Sequence, residues 1–208
     1  VWAESDRGLP ALRGVNLAVR AGEILGIAGV SGNGQRELAE VIAGLRQPSR
    51  GHIRIDNVET MGWPPSRLLK LGVSYIPEER MRDGAIGDFS VEENLLLQDH
   101  MSKPYANGMF MNFRRMAEST DRLIHDFDIR TPSRSTPLKN LSGGNIQKMI
   151  LARELSRRPR VLVASQPTRG VDISATEYIH RCLIQQRVEG TATILISEDL
   201  DEIRNLSD

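Results

Sequence analysis

The stretch that decides the fold covers residues 29–36 and reads Gly29-Val30-Ser31-Gly32-Asn33-Gly34-Gln35-Arg36. Its spacing is that of a phosphate-binding loop, in which a glycine-rich turn leads into a helix. Two chemical positions depart from that pattern. Gln35 stands in place of the lysine, and Arg36 stands in place of the Ser or Thr that would meet magnesium. The sequence therefore predicts a backbone cradle for phosphate that has lost its two reactive side chains.

The segments on either side of the loop supply the context that a phosphate loop requires. Residues 24–28 form a short apolar run, which predicts a buried strand that enters the loop. Apolar residues then recur at helical spacing, at Leu38, Val41, Ile42 and Leu45. Strand, glycine-rich loop and helix, in that order, place backbone N–H groups and a helix N-terminus where they can bind an anion.

The loop keeps the part of its affinity that the backbone supplies. Gly29, Gly32 and Gly34 allow positive φ and close approach to an anion, and the amides and the helix dipole act without side chains. The missing lysine removes one charge-assisted contact of about 1.5–3 kcal/mol, which is roughly ten- to a hundredfold in affinity. Arg36 returns some positive charge but cannot ligate magnesium. A strand–helix turn without a ligand is the alternative interpretation.

Apolar patterns predict the other elements. Residues 15–19 alternate apolar and polar side chains, as a half-buried strand does, and Ser90 with Glu93 forms a capping box that opens a helix through Leu97. Residues 98–112 are predicted to be an irregular loop. Further strands are predicted around Ile53 and Ile55 and at residues 73–76, 161–164 and 194–196, and further helices at residues 113–127, 146–155 and 175–187. Strands that alternate with helices predict a largely parallel sheet.

Composition and charge exclude several classes of protein. The chain has 208 residues with 27 basic and 27 acidic side chains, so its formal net charge is zero and we predict no nucleic-acid partner. The sequence has no apolar run long enough to cross a bilayer and no signal peptide at its start. The single cysteine, Cys182, cannot form an internal disulfide and is predicted to be a helix core residue. The start at Val1 and the end at Asp208 predict a piece of a longer polypeptide.

A second anion-binding helix start lies later in the chain and reads Leu141-Ser142-Gly143-Gly144-Asn145-Ile146-Gln147-Lys148. Ser142 can cap the helix, and the two glycines expose its first N–H groups; a plain capped helix is the alternative. The string matches the signature of ABC-type ATPases, LSGGQ, in its LSGGN-x-Q-K form. From this point the sequence resembles the nucleotide-binding domain of an ABC transporter along nearly its whole length.

Other elements of that family follow in the expected order, with departures at the chemical positions. Residues 161–172 resemble the Walker B strand and D-loop, but Ser165 stands where the family has a magnesium-binding Asp and Gln166 where it has the catalytic Glu. Residues 75–78 resemble the Q-loop, with Glu78 in place of Gln. Residues 196–200 resemble the switch region, with Glu198 in place of His.

These departures argue against hydrolysis at this site. Phosphoryl transfer needs a metal, positive charge on the phosphates and a polarised water. Gln166 is neutral and cannot take a proton, Ser165 is a weak metal ligand compared with a carboxylate, and Glu198 adds negative charge. We therefore expect no intact catalytic residue, weak ATP binding by residues 29–36 and Glu78, and a poor site for Mg²⁺.

The resemblance also implies a division of labour. ABC domains work as facing pairs, and each nucleotide lies between one domain's phosphate loop and the partner's LSGG helix. The signature of this chain would therefore complete the active site of a second ABC ATP-binding domain, predicted to lie in the same polypeptide. The residues that the resemblance assigns to this role are Leu141, Ser142, Gly143, Gly144, Asn145 and Gln147 of the signature, and Gly170 and Asp172 of the D-loop.

The expected fold is that of an ABC ATPase, an α/β domain with a P-loop NTPase-like, largely parallel sheet, an inserted helical subdomain and a small antiparallel β portion. One domain over residues 1–208 is predicted, with a core of 1–79 and 156–208 and a helical subdomain of about 80–155. The sequence is most similar to the second ATPase half of importers for simple sugars and purine nucleosides. That class implies membrane permease partners, which we expect to dock near residues 78–88, and a peripheral place on the cytoplasmic face of the membrane.

Two other functions stay open at this point. The chain could be a self-sufficient ABC ATPase that uses substitute side chains, or an ABC protein outside transport, such as a translation or DNA-repair factor. Neutral charge and the lack of a basic stripe weigh against the latter. In this family an aromatic residue before the first strand stacks on adenine, and Trp2 is a candidate for that contact, with an exposed linker tryptophan as the alternative.

Overall fold

The computed structural model of the chain describes residues 1–30, 32–108 and 110–208. Its strands are, in chain order, β1 (Trp2–Glu4), β2 (Pro10–Arg13), β3 (Ile24–Ala28), β4 (Arg54–Ile55), β5 (Val58–Glu59), β6 (Val73–Ile76), β7 (Ala106–Asn107), β8 (Phe110–Met111), β9 (Val161–Ser165) and β10 (Ala192–Ser197). Its helices are α1 (Gln35–Ile42), α2 (Pro65–Leu71), α3 (Val91–Leu95), α4 (Phe113–Asp126), α5 (Gly143–Leu155), α6 (Ile173–Val188) and α7 (Leu200–Leu206). A π-helical turn spans Arg80–Gly84, and a 3₁₀ turn spans Leu138–Asn140.

A four-stranded parallel sheet in the order β3-β10-β9-β6 positions the candidate site. All six residues of β10 are buried, and this strand pairs with β3 on one side and β9 on the other. Strands buried on both faces have continuous apolar runs rather than alternation. The other six strands form three antiparallel pairs, β1-β2, β4-β5 and β7-β8. The predicted fold class, a largely parallel sheet with a small antiparallel portion, is confirmed.

The apolar face of α1 packs on this sheet. Leu38 and Val41 lie in one buried cluster with Val163 of β9 and with Ile194 and Ile196 of β10. Full burial of such an aliphatic side chain contributes about 1.5–3 kcal/mol. Because α1 is fixed on the sheet in this way, the turn between β3 and α1 is held at the carboxyl edge of the strands.

The chain forms two compact units. The first comprises Val1–Ile76, Arg158–Pro167 and His180–Asp208 and contains the parallel sheet. The second comprises Pro77–Arg157 and Thr168–Ile179 and contains α3, α4 and α5. The capping box predicted for α3 is present, since the Ser90 hydroxyl accepts from the Glu93 N–H at 3.2 Å and the Glu93 carboxylate accepts from the Ser90 N–H at 2.8 Å. No helix in the described part of the chain is long and apolar enough to cross a bilayer.

Some sequence-based expectations were wrong. Residues 15–19 form no strand, and within the described part of the chain no strand pairs with them. Alternation alone does not make a strand, because the ladder also needs a neighbour. The helix that begins after Ser90 ends at Leu95 rather than Leu97. Leu45 lies beyond the end of α1 and is exposed. The segment predicted to be an irregular loop contains the short β7-β8 hairpin.

Candidate functional site

The carboxyl ends of three neighbouring strands bring most of the predicted nucleotide-site residues together in the first unit. Ala28 at the end of β3 pairs in register with Ser197 of β10, and Ile196 of β10 pairs with Ser165 of β9. Consequently the loop that begins at Gly29, the switch residue Glu198 and the residue Gln166 all leave the same edge of the sheet. In open α/β sheets this edge is where ligands bind.

The phosphate loop has the backbone that its glycines predict at two of three positions. Gly32 and Gly34 have φ of 92° and 97°. A Cβ at Gly34 would also lie 2.8 Å from the Ala11 carbonyl oxygen. Gly29 does not have a positive φ, and a Cβ there would lie 2.5 Å from Nε2 of Gln35, so a larger residue would require that side chain to shift. Ser31, which was predicted to bind nucleotide, lies outside the described residues.

The Gln35 side chain folds back into the loop. Its Nε2 donates to the Val30 carbonyl at 3.0 Å, and its Oε1 accepts from the Asn33 N–H at 3.0 Å. The Asn33 side chain donates to the same Val30 carbonyl at 3.1 Å. The Asn33 backbone N–H, which would face a phosphate, is therefore already paired with the side-chain carbonyl oxygen of Gln35. Sequence reasoning treated Gln35 only as a missing lysine and did not foresee this contact.

Arg36 and the start of α1 complete the loop. The Arg36 guanidinium pairs with Glu40, one turn further along α1, at 2.7 Å, so its charge is partly compensated. Gly34 occupies the N-cap position of α1 and provides no side-chain cap. The first N–H groups of α1 thus lack the competitor that a capping Ser or Asp would provide.

Gln166 and Glu198 are in contact at the edge of the sheet. The Glu198 N–H donates to Oε1 of Gln166 at 3.3 Å, and the Gln166 N–H donates to the Ile196 carbonyl at 2.8 Å. Gln166 has φ of 48°, a left-handed conformation that is strained for a residue other than glycine. Ser165 is only 2% exposed. Among the described residues, no group of three or more His, Cys, Asp or Glu side chains is arranged to hold a metal ion.

The signature lies in the second unit, at the start of α5. Ser142 is the N-cap of α5, as predicted, and its hydroxyl accepts from the N–H and the side-chain amide of Asn145 at 3.5 Å and 2.9 Å. Oδ1 of Asn145 in turn accepts from the Arg130 N–H at 2.8 Å. Ser142 and Gly143 are exposed, whereas Gly144 and Gln147 are buried. The surface that the signature presents therefore consists of its first residues.

The D-loop and the Q-loop residue also lie in the second unit. The Asp172 carboxylate accepts from the Ser174 hydroxyl at 2.7 Å and from the Ala175 N–H at 3.0 Å, and these hydrogen bonds hold the pKa of Asp172 below its ordinary value. Gly170 has φ of 63°. Glu78 forms an ion pair with Arg169. Sequence reasoning did not connect these segments, because residues 78 and 169 are far apart along the chain.

Trp2 is less accessible than the adenine-stacking hypothesis requires. The Arg50 guanidinium lies over its indole ring, 4.0 Å from the ring centroid. A Cβ at Gly14 would lie 3.3 Å from the same ring. The indole thus already has a cation–π partner, which any adenine stacked on that face would have to displace.

The sheet order, the glycine-rich turn at its carboxyl edge and the capped LSGG helix are those of an ATP-binding cassette. The sequence profile of the ABC transporter family matches residues 12–169, and the chain belongs to that family. The resemblance inferred from the motifs is confirmed at this level.

Similar proteins are import ATP-binding proteins. The chain is 48% identical over 210 residues to the glucose import ATP-binding protein TsgD13 of Haloferax volcanii. That alignment covers 100% of this chain and 38% of TsgD13. The chain is 42% identical over 208 residues to the guanosine import ATP-binding protein NupO of Bacillus subtilis. That alignment covers 100% of this chain and 41% of NupO. The chain thus spans about two fifths of the length of these relatives.

Two solved structures show the fold alone, because their sequence identities are low. A nucleotide-free ATP-binding cassette from an ABC transporter superposes with a TM-score of 0.80 at 22% identity and covers 100% of this chain and 83% of that chain. The dimeric cassette MJ0796, in a post-hydrolysis state bound to ADP and Pi, superposes with a TM-score of 0.76 at 23% identity and covers 94% of this chain and 83% of that chain.

Proposed function

We propose that this chain is the ATP-binding domain of an importer for simple sugars or nucleosides, that its own nucleotide site is hydrolytically degenerate, and that its LSGG helix completes the site of a second ABC ATP-binding domain. The observation that carries the proposal is the contrast between the two anion-binding helix starts. The loop before α1 is filled by the Gln35 amide, whereas Ser142 and Gly143 at the start of α5 are exposed.

The chemistry of the first unit supports a binding site without hydrolysis. The loop amides and the uncapped start of α1 suit the phosphates of ATP, and ATP must displace the Gln35 side chain to reach the Asn33 N–H. At the position of the general base, Gln166 is an amide that already accepts from the Glu198 N–H. The hydroxyl of Ser165 is a weaker magnesium ligand than a carboxylate and is buried. ATP binding is therefore weak, and the site supplies no residue to activate water.

The chemistry of the second unit supports a contribution to another domain's nucleotide. Ser142 is fixed by Asn145, and its hydroxyl proton is free to donate because Asn145 supplies both hydrogen bonds that Ser142 accepts. Together with the amides at the start of α5, this hydroxyl makes a donor surface for a phosphate. Gly170 and Asp172 shape the adjoining backbone, whereas Gln147 is buried in α5 and does not reach this surface.

The importer class and its partners rest on the relatives. Their names describe import of glucose and guanosine, and their greater length is consistent with two ABC ATP-binding domains in one polypeptide. An importer requires membrane permease subunits, so we place this domain on the cytoplasmic face of the membrane, with residues 78–88 as the docking segment. Residues 98–112 belong to the same predicted helical subdomain.

ATP turnover tests the degenerate site. The chain with Mg²⁺ should hydrolyse ATP at the background rate, because no carboxylate activates water. The fourfold variant Gln35→Lys, Arg36→Ser, Ser165→Asp and Gln166→Glu restores the family residue at these four positions and makes the net charge more negative by two. It should raise turnover above that of an Arg114→Glu control, which makes the same change in charge at an exposed position of α4. Appreciable magnesium-dependent turnover by the unmodified chain would instead support the self-sufficient ATPase.

The partner role needs the assembled transporter. Ser142→Arg should abolish transport-linked hydrolysis, because a long cation would replace the small donor at the start of α5. The same variant should leave the ATP affinity of this chain's own loop unchanged, because that loop lies in the other unit. Hydrolysis at the unmodified rate in the Ser142→Arg transporter would reject the role.

A further inference from the structure

The Arg80 side chain links three segments of the second unit that are far apart in sequence. Arg80 begins the π-helical turn Arg80–Gly84, which follows the Q-loop residue Glu78. Its Nη1 donates to the Gly143 carbonyl at 3.1 Å, and its Nη2 donates to the Arg169 carbonyl. One guanidinium therefore joins the segment after the Q-loop residue Glu78 to the first residue of α5 and to the D-loop.

Two glycines provide the space for this guanidinium. A Cβ at Gly143 would lie 3.2 Å from Nη1 of Arg80, and a Cβ at Gly170 would lie 3.3 Å from Nη2. The Gly170 φ of 63° is an independent reason for glycine. Both glycines that sequence reasoning assigned to nucleotide chemistry thus also allow Arg80 to approach the backbone.

A second interaction connects the same two segments, but here the donor is Arg169 and the acceptor lies in the segment of Arg80. Arg169, whose carbonyl accepts from Arg80, donates through its own guanidinium to Glu78. The two arginines and Glu78 therefore connect residues 78–80 with residues 169–170 through side chain and backbone at once. Next to this junction, a Cβ at Gly144 would lie 3.3 Å from a carboxylate oxygen of Asp172, so the start of α5 also packs closely on the D-loop.

Helix stability does not explain a cation at this place. A positive side chain beside the N-terminus of a helix opposes the helix dipole, and partial burial lowers the pKa of Arg80. The two backbone carbonyls offset that cost. The arrangement suits a role in holding the backbone around the signature rather than in making α5 more stable.

We propose that Arg80 is a positioning residue of the signature: its guanidinium fixes the Gly143 and Arg169 carbonyls relative to each other, so that Ser142 is held in the orientation that the partner domain's nucleotide requires. The inference rests on the proposed function, since it assigns Arg80 to the site that the signature would complete. A lysine cannot replace the arginine, because an ammonium lacks the planar fork that reaches two carbonyls at fixed angles.

Amide hydrogen exchange on this chain tests the geometry without a partner. Arg80→Lys should speed exchange of the hydrogen-bonded amides of Asn145, Ile146 and Val171 by about tenfold or more, since loss of one charge-assisted hydrogen bond corresponds to roughly ten- to a hundredfold. The matched control is Arg114→Lys, since Arg114 is an exposed arginine of the same unit and pairs with Glu118 on α4. Equal exchange at these amides in Arg80→Lys and in the unmodified chain would overturn the inference.

Hydrolysis by the assembled transporter tests the consequence. Arg80→Lys should lower kcat about tenfold while KM for ATP changes little, because the partner's own phosphate loop supplies most of the binding. Arg114→Lys should leave both constants unchanged. If Ser142→Arg abolishes hydrolysis but Arg80→Lys has the unmodified kcat, the role of Arg80 is wrong and the proposed function stands. If Ser142→Arg has no effect, the proposed function itself fails.

Discussion

At the scale of single residues, the phosphate loop shows how one substitution changes more than charge. Gln35 removes an ammonium and also places an amide group inside the loop, where it accepts from the Asn33 N–H. A carbonyl oxygen in that position does part of what a phosphate oxygen would do. The loop therefore keeps its shape without a ligand, and a ligand competes with a side chain of the protein.

Truncation of this side chain should strengthen nucleotide binding. Gln35→Ala frees the Asn33 N–H, and a net hydrogen bond of about 0.5–1.5 kcal/mol corresponds to a roughly two- to twelvefold gain in ATP affinity. Isothermal titration calorimetry of each variant with ATP measures this gain in affinity, with Gln185→Ala as the control. Weaker binding by Gln35→Ala than by the unmodified chain would mean that Gln35 contacts the nucleotide directly.

Two glycines of the loop separate backbone strain from steric clash. Gly32 and Gly34 share a positive φ, but a Cβ at Gly32 would meet no atom within 4 Å, whereas one at Gly34 would lie 2.8 Å from a backbone carbonyl. Gly32→Ala should lower the free energy of unfolding by about 1–3 kcal/mol from strain alone, and Gly34→Ala should lower it further. Urea unfolding measures both, and equal losses would show that the Ala11 carbonyl moves aside.

At the scale of elements, short helices depend on their ends. α3 has only five residues, and the capping box between Ser90 and Glu93 satisfies two N–H groups at its start. Asn94 then anchors the helix to the preceding turn, since its side chain bonds to both backbone groups of Ile86 at 2.8 Å and 2.9 Å. A helix of this length is marginal by propensity, so these local contacts decide its stability.

Loss of the cap should therefore be measurable. Ser90→Ala should lower the free energy of unfolding by about 1 kcal/mol, the typical cost at an N-cap. Ser66→Ala, at an exposed position in α2, is the control and should change it by less than about 0.5 kcal/mol. Chemical denaturation compares the two variants, and a loss no greater than that of Ser66→Ala would show that α3 does not depend on the box.

The same scale shows what the sequence could and could not foretell. β3, β6, β9 and β10 were predicted because buried parallel strands have continuous apolar runs that need no knowledge of their neighbours. Residues 15–19 show the limit, since their alternation was read as a strand although no described strand pairs with them. Pairing is a property of two segments, and one segment's pattern contains only half of it.

In the candidate site, too, local features were predictable from the sequence and tertiary contacts were not. The glycine spacing, the N-cap at Ser142 and the helix after it are local features, and the structure has them where the sequence predicted them. The fold of Gln35 back on Val30 and the bond from Arg80 to Gly143 depend on side-chain direction and on tertiary placement. Nothing in residue spacing encodes contacts of that kind.

At the scale of the whole molecule, carboxylates determine how stability responds to acid. Hydrogen bonds hold the pKa values of Asp88, Glu93, Asp128 and Asp172 below their ordinary values, with Lys139, the Ser90 N–H, Lys148 and the Ser174 hydroxyl as the respective main donors. Burial raises the pKa of Glu92, which acts in the opposite direction. Four of these five carboxyl groups have a lowered pKa and one has a raised pKa, so acid should destabilise the fold.

The sign of this effect gives a pH prediction. A carboxyl group with a lowered folded pKa contributes stability that is present above its unfolded pKa, and that stability is lost as pH falls through the folded pKa. The free energy of unfolding should therefore fall as pH drops below the ordinary values of 3.8 for Asp and 4.5 for Glu. Asp128→Asn removes the partner that Lys148 holds at 2.5 Å, and should make this fall shallower.

Urea unfolding over a pH series measures the slope. Asp201→Asn, an exposed carboxylate in the first turn of α7, is the comparison and should keep the slope of the unmodified chain. An Asp128→Asn slope that matches that of the unmodified chain would show that the ion pair with Lys148 does not contribute to acid sensitivity.

The position of β10 has a consequence for biosynthesis. β10 lies between β3 and β9 in the sheet, although it is formed by residues 192–197, after both of them in the chain. During translation β3 therefore leaves the ribosome before β10, its partner in the sheet, has been made. The backbone groups of β3 that pair with β10 stay unpaired until residues 192–197 have emerged. Nascent chains of this domain thus expose an unpaired apolar strand throughout most of their synthesis, the stage at which holding chaperones would protect them.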